Sequence, residues 1–165
     1  MTIELDATDF KLLELLQQDA SRSNQDLALA AQVSAATALR RVRRLVEEGV
    51  IERQVAIVAP QMAGLPLGLQ ALVEVSLDRQ GTEHLDNFES LAVADLGVQQ
   101  CWRVSPGPDF VLVLHVADMQ AYQALAQRLF TQTANVRNVK TYFAVKRAKF
   151  EPALRLSALA LGAKV

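Results

Sequence analysis

The spacing of apolar residues changes character once along this chain, and that change limits what it can fold into. Up to about Gly49 the apolar residues recur every three or four positions, the mark of helices with one buried face. From Leu69 onward, short apolar runs of strand composition are separated by segments of helical spacing. Between the two regimes Pro60, Gly64 and Pro66 fall within seven residues, a combination that interrupts regular structure and marks a hinge. A chain of 165 residues, 51% hydrophobic and 21% charged, is globular and long enough for two small domains on either side of that hinge.

In the second half, strands are expected at Leu69 to Leu77, Val98 to Val104, Phe110 to Val116 and Val136 to Val145. Helices are expected at Thr82 to Leu91, through Leu85, Phe88 and Leu91, and at Ala117 to Phe130, through Met119, Tyr122, Leu125, Leu129 and Phe130. The order βαββαβ predicts a ferredoxin-like domain with two helices on one face of a four-stranded sheet. The other face, apolar and uncovered, is most simply buried against a second copy, so a homodimer is expected. Ser105-Pro106-Gly107-Pro108-Asp109 reads either as a plain turn between two strands or as a ligand loop.

In the first half, Leu5 to Gln18 reads as a helix capped by Asp6, with Asp9 in the box position and Phe10, Leu12, Leu13, Leu15 and Leu16 as its apolar stripe. A short helix follows at Asn24 to Ala31, offering Leu27, Leu29 and Ala31 to the core, then the turn Gln32-Val33-Ser34. The next helix starts at Ser34, whose hydroxyl can cap it, and stops near Gly49. On its wheel Ala35, Ala38, Leu39, Val42, Leu45 and Val46 share one face; Thr37, Arg40 and Arg44 lie opposite, with Arg41 and Arg43 on the flanks. Helix, tight turn and basic helix make a helix-turn-helix, and Val50-Ile51 with Gln54 to Val58 are expected as the two strands of a wing.

Ala35 to Val46 holds four arginines and no carboxylate, within a chain of formal net charge −1. Guanidinium forks suit phosphate oxygens and the guanine edge, so this face is read as a DNA surface, with a solvated helix face as the alternative. Ala36 and Thr37, near the helix start, are placed to meet base edges. A single cysteine, Cys101, and two separated histidines, His84 and His115, provide no zinc set, and no nucleophile is paired with a base, so no metal, cofactor or catalytic site is expected. No apolar run approaches the roughly 20 residues of a membrane span. The opening Met1 to Asp6 lacks a signal peptide's basic and apolar segments, and a cytoplasmic protein is expected.

With both halves placed, the chain resembles the Lrp/AsnC, or feast/famine, family of transcriptional regulators. The likeness rests on L-D-A-T-D at Leu5 to Asp9, S-N-x-x-L-A at Ser23 to Ala28, R-V-R-R-L-x-x-x-G-x-I at Arg41 to Ile51, Asp118-Met119-x-Ala121-Tyr122, and Thr141-Tyr142. It implies an α+β protein: a winged helix-turn-helix at residues 1–59, a hinge at 60–68, a ferredoxin-like ligand-sensing and oligomerisation domain at 69–150, and a tail or short helix at 151–165, with Leu154 to Leu161 as the helical part. It further implies dimers that assemble up to octamers, operator DNA as partner, and a small-molecule effector, commonly an amino acid. The corresponding DNA-binding residues are Ser34, Ala36, Thr37, Arg40, Arg41, Arg43 and Arg44; the effector-binding residues are Ser105, Gly107, Asp109, Met119 and Tyr142. Three departures stand out. Ser34-Ala35-Ala36-Thr37 replaces S-P-T-P, Gln32 replaces the turn glycine, and Pro106-Gly107-Pro108-Asp109-Phe110 replaces G-D-F-D-Y, losing the first Gly-Asp pair. The alternatives are an enzyme like the siroheme decarboxylases, which share the architecture, and an effector-binding protein with a vestigial DNA-binding half.

Overall fold

Asp6 opens the first helix, α1 (Ala7–Gln18), by the predicted reciprocal pattern. Its carboxylate accepts from the Asp9 N–H at 2.9 Å, and the Asp9 carboxylate accepts from the Asp6 N–H at 3.2 Å. The computed structural model describes residues 3–133 and 135–156, apart from the side chains at 60 and 61. Ser23 and Asp26 repeat the capping box at the start of α2 (Asn24–Ala30). Ser34 caps α3 (Ala35–Glu47) by accepting from the Thr37 N–H at 3.1 Å, and Gly49 ends that helix in the left-handed region at φ 73°. Leu12, Leu15, Leu27, Ala28 and Ala38 form the core of this three-helix group, and Leu45 is also fully buried. Each fully buried leucine contributes roughly 1.5–3 kcal/mol relative to exposure.

Two expectations for this part are corrected. Leu29 is 82% exposed, because α2 turns Leu27 and Ala28 inward and Leu29 falls on the opposite side. Val50-Ile51 and Gln54 to Val58 are not strands. A strand requires partners for its N–H and C=O groups, and among the described residues no segment forms a ladder with them; Val55 and Ile57 stand exposed.

The second compact unit spans Val58–Ala148; the first comprises Met1–Ile57 together with the segment beginning at Lys149. Within the second, the predicted order is observed: β1 (Leu69–Leu77), α4 (Thr82–Ala94), β2 (Val98–Arg103), β3 (Phe110–Val116), α5 (Met119–Ala126) and β4 (Val136–Phe143). The sheet is antiparallel in the order β2-β3-β1-β4. Register sets its chemistry: Ala71, Val73 and Val75 pair with Leu114, Leu112 and Phe110, so these side chains share one face. Phe88 and Ala92 of α4 and Leu125 of α5 pack against it, with Leu129 and Phe130 from the π turn (Gln127–Thr131) that follows α5. The helix predicted over Ala117 to Phe130 is thus shorter. Asp118 caps it, accepting from the Ala121 N–H at 2.8 Å, and at its far end the Gln132 N–H reaches back five residues to the Gln127 carbonyl.

Beyond Lys149 the described residues are mostly irregular, and Leu154 is held by Gln17 of α1. The Gln17 amide donates to the Leu154 carbonyl at 3.2 Å and accepts from its N–H at 2.7 Å. Most of the helix expected at Leu154 to Leu161 lies outside the described residues.

Candidate nucleic-acid interface

The four arginines of α3 do not share one environment. Asp9, 1% exposed, sits on the apolar side of α1 beside Leu12 and Leu13, and a carboxylate there needs cationic partners. It finds two. Arg41 Nη1 donates to Asp9 Oδ1 at 2.9 Å and to both Asp6 oxygens at 2.8 and 2.9 Å, and Arg44 Nη2 donates to Asp9 Oδ2 at 2.6 Å. Asp9, then Asp6, hold the Arg41 guanidinium more firmly protonated than usual. The Asp6 carboxyl lies below the usual aspartate range, first through the Asp9 N–H and then through Arg41. Beside this network is an open groove of about 450 Å³ lined by Glu4, Asp6, Asp9, Arg40, Arg41 and Arg44.

The expected distribution of arginines is therefore corrected. Arg44, placed by the wheel on the outer face, leans onto α1, and Arg43, placed on a flank, is exposed together with Arg40. Among the described residues neither the Arg40 nor the Arg43 side chain makes an ion pair or a hydrogen bond. Ala36, Arg40, Arg43 and Glu47, spaced four, three and four residues apart, form one exposed strip. The hydroxyls of Ser34 and Thr37 are 2.9 Å apart and occupied with each other at the cap. Sequence reasoning took Asp9 for a cap alone; the missed signal was its place in the series Asp9, Leu12, Leu13, Leu16, a buried-face pattern with a charge in it.

The five residues predicted to bind effector are not brought together within one chain. Ser105, Gly107 and Asp109 share the tip between β2 and β3, whereas Met119 follows the far end of β3, a seven-residue strand of roughly 20 Å. Tyr142 pairs in register with Leu72 on the sheet face turned away from the helices. Asp109 is committed to the hairpin: its carboxylate accepts from the Leu77 N–H at 2.7 Å, and its own N–H donates to the Val75 carbonyl at 2.9 Å. A separate groove of about 360 Å³ runs between α5 and β4, lined by Tyr122, Phe130, Asn138 and Thr141 among others, with the Tyr122 and Thr141 hydroxyls 2.7 Å apart. His115 has a structural contact, its Nε2 lying 2.9 Å from the Leu67 carbonyl. Among the described residues no helix is long and apolar enough to cross a membrane.

A helix-turn-helix unit with an exposed basic strip, followed by an α+β unit built on a four-stranded antiparallel sheet, defines a class of two-part DNA-binding regulator. Residues 5–52 match the family described as winged helix-turn-helix DNA-binding, and residues 70–154 match the Lrp/AsnC ligand binding domain. The chain belongs to the Lrp/AsnC family of transcriptional regulators. It is 35% identical to the Bkd operon transcriptional regulator of Pseudomonas aeruginosa, covering 87% of this chain and 92% of that protein. It is 31% identical to the DNA-binding transcriptional activator DecR of Escherichia coli, covering 91% and 97%. A crystal structure of a Neisseria meningitidis transcriptional regulator in complex with L-methionine superimposes with a TM-score of 0.82 at 26% identity, covering 94% of this chain and 99% of that one.

Proposed function

We propose that this regulator binds operator DNA through α3, as a dimer reading two half-sites in successive major grooves, and that an amino acid or related small molecule tunes the binding. The observation that carries the reading is the exposed strip Ala36, Arg40 and Arg43, whose two guanidiniums have no hydrogen-bond or ion-pair partner among the described residues. Cationic forks left free on a helix of this placement suit the phosphate backbone and base edges of a duplex. The dimer is supported by the uncovered sheet face, where Leu72, Trp102 and Tyr142 are 46%, 58% and 43% exposed around Val111 and Val113; assembly to an octamer builds on such dimers. Amino-acid control is supported by relatives named leucine-responsive regulatory protein and by the L-methionine complex of the Neisseria protein. The protein acts in the cytoplasm by binding rather than by catalysis.

Selection from a random duplex library, followed by anisotropy titration of the enriched duplex across salt concentrations, tests the reading. Enrichment of a two-fold repeated motif, bound tightly and weakening steeply with salt, is expected. Equal affinity for the enriched and a scrambled duplex overturns it. A thermal-shift screen of the twenty amino acids and their keto acids identifies the effector, and stabilisation by none of them overturns the amino-acid reading.

A further inference from the structure

The four arginines divide into two pairs with different duties, and the division points to one base-reading residue. Asp9 and Asp6 hold Arg41 and Arg44 against α1, with side chains 21% and 39% exposed. The outer strip then runs Ala36, Arg40, Arg43, Glu47, all exposed. At about 1.5 Å per residue, Arg40 lies roughly 6 Å beyond Ala36 along the axis and Arg43 a further 4.5 Å or so. A recognition helix presents its N-terminal residues to base edges, so the first group on the strip that can donate to a base is Arg40. Ala36 has no donor, and the Ser34 and Thr37 hydroxyls are paired at the cap. The strip ends in carboxylates at Glu47 and Glu48, which phosphates repel, so contact with the duplex stops near Arg43.

On the DNA-binding reading above, we propose that Arg40 is the specificity-determining residue of α3. Its guanidinium donates in a fork to O6 and N7 of a guanine in each half-site, Arg43 donates to a phosphate, and Arg41 and Arg44 position the helix. A fork on guanine discriminates against other bases by roughly 5- to 150-fold, whereas a phosphate contact carries no base preference.

The test is parallel selection from a random duplex library with the full-length wild type, Arg40→Ala, Arg40→Lys and Arg43→Ala, with circular dichroism confirming that each exposed substitution leaves the fold intact. The wild type is expected to enrich motifs with a guanine at one symmetric position per half-site. Arg40→Ala should reduce that guanine preference at least about fivefold. Arg40→Lys should keep the salt dependence while weakening the preference, because an ammonium keeps the charge and loses the fork. Arg43→Ala should keep the preference and lower the salt slope by about one counterion per lost contact. A guanine preference that survives Arg40→Ala, or its loss in Arg43→Ala, overturns the assignment while leaving DNA binding intact. If the wild type enriches no motif at all, the DNA-binding reading and this assignment fall together.

Discussion

Replacing Asp9 by alanine removes the acceptor that ties α1 to α3, and the structure sets the size of the effect. Three hydrogen bonds are lost: from Arg41 at 2.9 Å, from Arg44 at 2.6 Å and from the Asp6 N–H at 3.2 Å. Charge-assisted bonds contribute roughly 1.5–3 kcal/mol each when desolvated, and stripping the partner from a fully buried ion costs about 3–5 kcal/mol. Here the estimate must be lower. Arg44 is 39% exposed and can turn to water, Arg41 retains Asp6, and the buried Nε atoms of both arginines make no hydrogen bond among the described residues even in the wild type. A loss of about 2–3 kcal/mol is expected, equivalent to roughly 10–20 °C in the midpoint of a unit this small. The two units report separately. Circular dichroism at 222 nm follows α1, α2 and α3 together with α4 and α5. The only tryptophan, Trp102, lies in β2 of the second unit and reports that unit alone, so the first of two helical transitions belongs to the N-terminal unit. That helical transition should therefore fall well below the tryptophan transition in Asp9→Ala. A double-mutant cycle with Arg44→Ala should return a coupling of at least about 1 kcal/mol. A helical midpoint within about 3 °C of the wild type would show that the network contributes nothing net and would refute the reasoning.

Gln32→Gly should stabilise the N-terminal unit by roughly 0.5–1 kcal/mol, since Gln32 sits at φ 55° and a left-handed non-glycine costs about 1–2 kcal/mol, partly offset by the glycine's greater freedom when unfolded; denaturant titration by circular dichroism checks the sign. The Asp6 carboxyl is depressed on folding, so its contribution is fully present above the ordinary aspartate value of about 3.9 and disappears as pH falls through its lower folded value. The stability difference between wild type and Asp6→Asn should thus be constant above about pH 5 and shrink below about pH 4; a difference that grows on acidification contradicts the assignment. Leu72→Glu places a charge at the centre of the uncovered sheet face, beside Tyr142 and Val113, and should convert the proposed dimer to monomer by light scattering without lowering helical content.

The ferredoxin-like unit was readable almost residue by residue because strand and helix impose different spacings on its apolar side chains. Leu69–Leu77 and Phe110–Val116 have the ends expected for them. The π turn after α5 was not readable, since no proline or glycine marks it and Leu129 and Phe130 keep helical spacing straight through it. Leu29 misled because a leucine on a seven-residue helix carries too little periodicity to say which side faces the core. The wing strands failed for a different reason. Alternation in Gln54 to Val58 records a preference for extended backbone, but a ladder depends on a second segment that local sequence cannot name.

The binding faces were harder to read than the fold because charge declares only what a side chain could do, and its neighbours decide whether it is free to do it. The helical wheel sets Arg40 and Arg44 apart from Arg41 and Arg43, but Asp9, 32 and 35 residues earlier, takes up Arg41 and Arg44 instead. The same logic governs Asp109. As a sequence letter it offers an acceptor for the ammonium of an amino acid, but in the fold it accepts from the Leu77 N–H and closes the end of β1 against the hairpin. An ammonium reaching that carboxylate would have to compete with a bond that holds the sheet edge together. Freedom from partners, rather than charge alone, separates Arg40 and Arg43 from Arg41, Arg44 and Asp109, and on that ground the strip proposed to face DNA is the better defined of the two faces.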